Sequence, residues 1–151
     1  MNTMLQKKKW AAAIALASAV GLLASCQSGP MAMGGGGSES VRLTGANEVP
    51  AVTTTASGSG NVTIRDDRSV SAKITVSGMN ATAAHIHEAA MGANGPVIVP
   101  FNKTADNTFE APAGAKLTDA QYASYKAGKL YVNVHSAAHP GGEIRAQLKG
   151  S

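Results

Sequence analysis

The four histidines of this 151-residue chain lie in two short segments. His85 and His87 stand one residue apart in "AAHIHEAAMGANGPVIV", and His135 and His139 follow in "YVNVHSAAHPGGEIRAQL". Side chains at positions i and i+2 of a β-strand start about 7 Å apart on the same face. Two imidazoles so placed can bind one ion at nitrogen–metal distances of about 2.0 Å. The spacing therefore indicates a candidate metal site, which a histidine of another strand would complete.

Strand alternation predicts where three of these histidines point. Apolar and polar residues alternate in "LYVNVHS", which puts Tyr131, Asn133 and His135 on the polar face. Ile86 is the apolar member of "HIH", so His85 and His87 lie on the face opposite to it. We expect their ring nitrogens to lie within about 8 Å of one another if they share an ion. The alternative is that all three are solvated residues on the wet face of a sheet.

The absence of thiolates from this set bears on the metal. Imidazole suits copper and zinc, whereas calcium and magnesium prefer oxygen ligands. The donor set therefore predicts copper or zinc. His139 lies in the loop "AAHPGG" and is a candidate fourth ligand.

Polar residues near the histidines are candidates for supporting roles. Glu143 and Arg145 share a face of the last predicted strand, where they are expected to form an ion pair or to support the histidines. Asn133 is a candidate hydrogen-bond partner of the histidines, and Glu48 in "GANEVPAV" could brace its loop. Glu88 points to the side of Ile86 and is a poor ligand candidate. The sequence has no serine-nucleophile motif and no phosphate-binding loop, which favours a function other than catalysis.

Short alternating segments separated by turn residues must position these side chains. They predict an all-β, antiparallel sandwich or barrel. Thr118 and Gln121 match a capping box and Gly128 ends the segment, which predicts one short helix. The predicted strands are "SVRLTG", the two arms of "GNVTIRDDRSVSAKITVSG", "HIH", "PVIVPF", "LYVNVHS" and "GEIRAQLKG".

Residues 1–25 have the pattern of a secretory signal peptide. Three lysines precede an uncharged apolar run that is too short to span a bilayer. The run ends in "LASC", which resembles a bacterial lipobox whose cysteine, Cys26, becomes the lipidated first residue of the mature protein. Several acyl chains on one residue, such as palmitate, suffice for a stable membrane anchor. The alternative is an ordinary signal peptide with an unrelated cysteine.

The mature chain is then divided into a tether and one domain. Residues 26–39 contain little to bury and predict a flexible tether, and residues 40–151 predict a single small domain. The chain has 13 basic and 9 acidic side chains, so removal of the three signal lysines leaves 10 − 9, or +1. A nucleic-acid partner therefore has no electrostatic support. Gln27 after Cys26 favours the outer membrane of a two-membrane bacterium.

Three segments together resemble the CHRD domain, a family named from repeats in chordin and common in bacterial secreted proteins and lipoproteins. The resemblance covers residues 41–149. It implies an immunoglobulin-like β-barrel with limited similarity to the Greek-key fold of Cu/Zn superoxide dismutase. The segments are "LTGANEVPAV", "AAHIHEAAMGANGPVIVPF" and "GKLYVNVHSAAHPGGEIRAQL".

The dismutase similarity concerns the histidines directly. That enzyme holds copper partly through an H-V-H pair on one strand and a histidine of a later strand. The similar "HIHE" and "VNVHS" imply that His85, His87 and His135 occupy copper-type positions. This chain lacks the metal-bridging histidine, the zinc cluster and the disulfide cysteines, and Arg145 has no secure match to the substrate-guiding arginine.

Three functions follow from these observations. The first is a membrane-tethered, extracytoplasmic lipoprotein that binds copper. The second is a protein-binding or envelope-structural β-module without metal. The third, a dismutase-like enzyme, has the least support, because only the copper half of that site is present.

Overall fold

The computed structural model describes residues 36–151 of the chain. The predicted signal peptide, Cys26 and the tether as far as residue 35 lie outside the described residues. Within residues 36–151, no helix is both long and apolar enough to cross a membrane.

The described residues form nine strands and one α-helix. They follow the order β1 (Gly37–Thr44), β2 (Ser57–Ile64), β3 (Val70–Ser77), β4 (Ala81–Glu88), β5 (Val97–Pro100), β6 (Asn102–Ala105), β7 (Thr108–Glu110), α1 (Asp119–Lys126), β8 (Leu130–Ser136) and β9 (Ile144–Gln147).

All nine strands belong to one antiparallel sheet in the order β5-β4-β8-β9-β1-β2-β3-β7-β6. The sheet curls until its ends approach each other, and Lys103 Nζ of β6 donates to the Ala81 carbonyl of β4 at 3.3 Å. The result is a nearly closed barrel. The prediction of an all-β antiparallel sandwich or barrel with one short helix is confirmed.

Side-chain alternation places the apolar core inside this barrel. Every second residue of β3, from Val70 to Val76, is buried, and the residues between them are exposed. Ile74, Ile86 and Val132 are fully buried and belong to one continuous cluster. Because the strand period is two, burying these residues forces their neighbours onto the other side of the sheet. That other side carries the histidines.

The helix begins and ends as its sequence predicts. Gln121 N donates to Thr118 Oγ1, and the Gln121 side chain accepts from Thr118 N, so the capping box is complete. Gly128 follows the last turn with φ +68°, a conformation that glycine adopts without strain. Tyr125 buries the inner face of the helix against the barrel.

Two strands have other boundaries than the sequence prediction, and two further strands were not predicted. β1 begins at Gly37, so residues 37–39 pair with β2 although they were assigned to the tether. β4 extends over eight residues around "HIH". β6 and β7 were not predicted, because "NKTA" is exposed throughout and "TFE" is too short to show alternation.

Candidate metal centre

Three neighbouring strands, β4, β8 and β9, build the site. In their register, His85 lies opposite Asn133, and Asn133 lies opposite Arg145. Two residues further along β4, His87 lies opposite Tyr131 of β8, and Tyr131 lies opposite Gln147 of β9. These residues and His135 make up what we call the polar face, the side of the sheet turned away from the apolar core.

The three predicted histidines come together on the polar face. One ring nitrogen of each of His85, His87 and His135 lies within 4.8 Å of the others, well inside the expected limit. The ring centroids are 4.7 Å apart for His85 and His135, 5.5 Å for His85 and His87, and 6.0 Å for His87 and His135. The group can therefore hold one metal ion.

Backbone carbonyls select the ring nitrogens that are left free to bind an ion. His87 Nδ1 donates to the Gly95 carbonyl and His135 Nδ1 to the Pro140 carbonyl, each at 2.9 Å. Each Nε2 then carries a lone pair, because a neutral imidazole has one donor and one acceptor nitrogen. His87 Nε2 is buried and has no hydrogen-bond partner among residues 36–151. Metal-binding histidines typically show this carbonyl contact on the other nitrogen.

His85 supplies the third nitrogen. Its Nδ1 lies 2.9 Å from His135 Nε2. Without an ion, His85 Nδ1 can donate to His135 Nε2. With an ion bound, both nitrogens would serve as ligands instead.

The environment of the histidines keeps them neutral. Burial, reinforced by the neighbouring His135 and His87, lowers the pKa of His85 to about 4. Burial also lowers the pKa of His87 and of His135, although the hydrogen bonds to Gly95 and Pro140 act in the opposite direction. Neutral imidazole is the form that binds metals. The cluster is thus ready to bind an ion at neutral pH.

The expectation of a wet sheet face is wrong for two of the three histidines. His87 is 7% exposed and His135 is 8% exposed, and His85 is half-buried. Loops between the strands fold over the polar face and shield it from solvent. Alternation indicates only which side of the sheet a residue faces, and it carries no information on what covers that side.

The main covering segment is the loop of residues 89–96, which we call the cover loop. Arg145 donates to the Ala93 carbonyl at 2.9 Å and to Asn94 Oδ1 at 3.2 Å. Gln147 Nε2 donates to the Ala89 carbonyl at 3.1 Å. Side chains of β9 therefore fix the loop whose Gly95 carbonyl orients His87.

Tyr131 connects Arg145 to the histidines. Its ring is stacked on His87 with centroids 4.8 Å apart and 7° between the planes. The Arg145 guanidinium carbon lies 3.3 Å from the centroid of the same ring. Tyr131 also accepts a hydrogen bond from Gly95 N at 3.2 Å. Arg145, only 1% exposed, thus supports His87 both through the ring and through the cover loop.

Glu143 and Arg145 do not form the ion pair expected from their shared face. Glu143 instead accepts from Ser136 Oγ and, at 2.7 Å, from Thr54 Oγ1. Burial raises the pKa of Glu143, but these hydroxyls outweigh it and hold the pKa below its usual value. Each residue is held by its own loop contacts, so Glu143 braces the β8–β9 connection and Arg145 the cover loop.

The remaining candidates have different surroundings. His139 is half-exposed in the β8–β9 connection and lies outside the three-histidine group. Glu88 accepts from Ser124 Oγ at 2.6 Å, which ties β4 to the helix. Glu48 is 7% exposed, and burial, partly opposed by Arg145, raises its pKa. Asn133 is 1% exposed and lies among the histidines.

Sequence reasoning placed Tyr131 on the polar face but missed its contacts with His87 and Arg145, and it missed Gln147. Tyr131 and Gln147 alternate in phase with His135 and Arg145, so their positions on the polar face were predictable. The contacts of the Gly95 and Pro140 carbonyls had no sequence signal, because any residue offers a backbone carbonyl.

No curated protein and no solved structure is significantly similar to this chain. The model of the CHRD domain family matches residues 40–148, which include every described residue of the polar face. The resemblance inferred from the three sequence segments is therefore confirmed, and the chain belongs to the CHRD domain family.

Proposed function

We propose that this protein is an exported, lipid-anchored CHRD-domain protein that binds a copper ion through His85, His87 and His135. The observation that carries the proposal is the arrangement of ring nitrogens. Backbone carbonyls hold Nδ1 of His87 and His135, and the lone pair of His87 Nε2 is buried without a partner in residues 36–151.

A buried acceptor without a partner destabilises the folded state, because it has lost its hydrogen bonds to water. His87 Nε2 is such an acceptor, and it lies beside two further histidines, which is difficult to explain as packing. Neutral imidazoles with lowered pKa values offer lone pairs instead of positive charges, which is what a metal ion requires. These features support metal binding over a purely structural role.

The donor set favours copper over zinc. Imidazole nitrogen suits both ions, and Cu²⁺ binds such sites more tightly than Zn²⁺ in the Irving–Williams order.

The location follows from the N-terminal sequence. The "LASC" segment resembles a lipobox, and lipidated Cys26 would hold the domain at a bacterial membrane, most simply the outer one. A tethered domain with a shielded three-histidine site suits the storage of copper or its transfer to another envelope protein. Neither role needs a reaction at the ion.

Copper titration of the whole chain tests the proposal. A Cys26→Ser background removes the only thiol and the lipidation site. We expect one copper ion per chain, and loss of this binding when His85, His87 and His135 are all replaced by alanine. The matched control is His139→Ala, which should bind as the parent does. Equal, weak binding by the parent and the triple variant would rule the site out.

Membrane fractionation tests the anchor separately. The wild-type chain, expressed in a bacterium that processes lipoproteins, should sediment with membranes and incorporate labelled palmitate. Cys26→Ser should abolish both. Unlabelled, soluble wild-type protein would refute the lipid anchor and leave the copper proposal intact.

A further inference from the structure

Buried side-chain atoms without a hydrogen-bond partner lie on or beside the polar face. Within residues 36–151, three buried side-chain atoms lack a hydrogen-bond partner: Glu48 Oε1, His87 Nε2 and Asn133 Oδ1. All three are acceptors with available lone pairs. His87 Nε2 belongs to the proposed copper site. The other two atoms, Glu48 Oε1 and Asn133 Oδ1, have no role in that site so far.

Asn133 stands at the centre of the site. It lies on β8 directly opposite His85 and two residues before His135, so its side chain leaves the sheet between these histidines. At 1% exposure, it has no route to bulk solvent.

Contacts on the other side of the amide fix its orientation. Asn133 Nδ2 is directed to the Gly141 carbonyl at 3.5 Å. A Cβ atom added to Gly142 would lie 2.5 Å from Asn133 Nδ2 and 2.6 Å from Glu48 Oε1, so both atoms border the same glycine. Exchanging the amide atoms would bring the Asn133 oxygen towards a carboxylate oxygen, which is unfavourable for two acceptors. The nitrogen therefore belongs on the Glu48 side and the oxygen on the histidine side.

We propose that Asn133 Oδ1 is a fourth donor to the ion held by His85, His87 and His135, a role that rests on the proposed copper function. An amide oxygen is a neutral, weak ligand, and copper accepts such an oxygen beside stronger nitrogen ligands. The Glu48 carboxylate on the Nδ2 side polarises the amide and increases the negative charge on Oδ1. Glu48 is thus a positioning residue for Asn133.

A purely structural role does not account for this asparagine. A buried residue that served only packing would be better replaced by leucine, which has similar volume and no unpaired acceptor. The apolar face of β8 already packs the core through Val132 and Val134. The Asn133 amide lies on the opposite face of β8 and does not contribute to the apolar core.

Two variants in the Cys26→Ser background test the assignment by copper titration and by electron paramagnetic resonance of the Cu²⁺-loaded chain. Asn133→Leu removes the oxygen at similar volume. The double variant Glu48→Gln with Asn133→Asp keeps an oxygen at position 133 and preserves the total charge. Asn61→Ala, at an exposed position of β2, is the control. Thermal unfolding without copper is measured for each.

If Asn133 is a ligand, Asn133→Leu weakens copper binding by about 10- to 100-fold and changes the hyperfine splitting of the spectrum. The double variant binds at least as tightly as the parent, and the control is unchanged. Without copper, Asn133→Leu unfolds at or above the temperature of the parent.

The contrary outcomes are separable. Unchanged copper affinity and spectrum in Asn133→Leu would overturn the fourth ligand and leave the three-histidine site in place. Copper-free Asn133→Leu that unfolds far below the parent would assign Asn133 a structural role and overturn the inference. A parent chain that binds no better than the triple-histidine variant would overturn both proposals.

Discussion

Two backbone carbonyls, those of Gly95 and Pro140, determine which nitrogens His87 and His135 offer to an ion. Each holds the Nδ1 proton, so each Nε2 carries the lone pair. Neither carbonyl belongs to a ligand residue, and both lie in loops. At the scale of single residues, the site therefore depends on loop positions as much as on the histidines.

The lowered histidine pKa values predict a loss of stability in acid. His85 titrates near 6.5 when unfolded and near 4 when folded, so the unfolded state binds more protons between these values. Its contribution to stability is complete above about pH 6.5 and is lost as the pH falls towards 4. We expect the free energy of unfolding, measured with urea, to fall between pH 7 and pH 5.

His85→Gln is the control for this pH dependence. Its free energy of unfolding should change less over the same interval, because one shifted group is gone. The comparison also removes the effect of Glu48, whose raised pKa acts with the opposite sign. A parent stability that increased on acidification, with His85→Gln parallel to it, would contradict the shift.

Gly142 is the residue of the β8–β9 connection that should tolerate no side chain. Its φ is +128°, and a Cβ there would lie 2.5 Å from Asn133 Nδ2. We expect Gly142→Ala to lower the free energy of unfolding by about 1–3 kcal/mol, measured with urea. Gly141→Ala, with open space around its Cβ, should stay within about 0.5 kcal/mol of the parent. Equal effects would show that the contact is unimportant.

The sequence correctly predicted which side of the sheet the histidines face. It did not predict how far they are buried. Period-two alternation put His85, His87 and His135 on one side of the sheet, and they lie there together. It could not reveal that His87 and His135 are buried, because the residues covering them are distant in sequence. It also suggested an ion pair between Glu143 and Arg145, whose real partners lie in loops of irregular backbone.

At the scale of elements, β9 and the cover loop act as one unit. Arg145 reaches the loop carbonyl of Ala93 and the Asn94 side chain, and Asn94 Nδ2 in turn donates to the Val49 carbonyl at 2.7 Å. The loop after β1 and the loop after β4 are thus joined above the polar face. Removing the guanidinium should release both.

We expect Arg145→Met to loosen the cover loop. The substitution leaves the Ala93 carbonyl and Asn94 Oδ1 without their donor, at a cost of about 2–3 kcal/mol in the free energy of unfolding. Hydrogen exchange of the Gly95 amide should accelerate, since its acceptor Tyr131 loses its guanidinium neighbour. Copper affinity should fall roughly 10-fold, because His87 loses its fixed carbonyl partner.

Arg42→Met is the matched control, because Arg42 is an exposed arginine of β1. It should change stability by less than about 0.5 kcal/mol and leave Gly95 exchange unaltered. If Arg145→Met showed the same Gly95 exchange and copper affinity as this control, the cover loop would not depend on Arg145.

Element-level prediction was accurate where the signal was local. The capping box at Thr118 and the apolar alternation of β3 required no distant partner, and both are present. β6 and β7 were not predicted, because their pairing depends on closure of the sheet. In the closed sheet, Lys103 of β6 donates to the Ala81 carbonyl of β4. Strand order was not predictable either, since β8 enters between β4 and β9 only through long-range register.

At the scale of the whole molecule, the sheet has two differently built sides. The inner side holds a continuous apolar core, and the outer side of β4, β8 and β9 holds buried polar groups under loops. The inner side stabilises the fold by hydrophobic burial. The outer side contains acceptors that lack partners within residues 36–151, so binding of an ion should stabilise it.

Copper should therefore stabilise the domain as a unit. An ion shared by His85 and His87 of β4 and His135 of β8 joins two strands that must separate on unfolding. Free copper at 100 times the dissociation constant adds about 2.7 kcal/mol. For a domain of this size, that should raise the unfolding temperature by roughly 10 °C, measured calorimetrically. His139→Ala should keep the full increase and the triple alanine variant should show none, because only the triple variant lacks the shared ligands. A comparable increase in the triple variant would instead place the bound copper elsewhere on the chain.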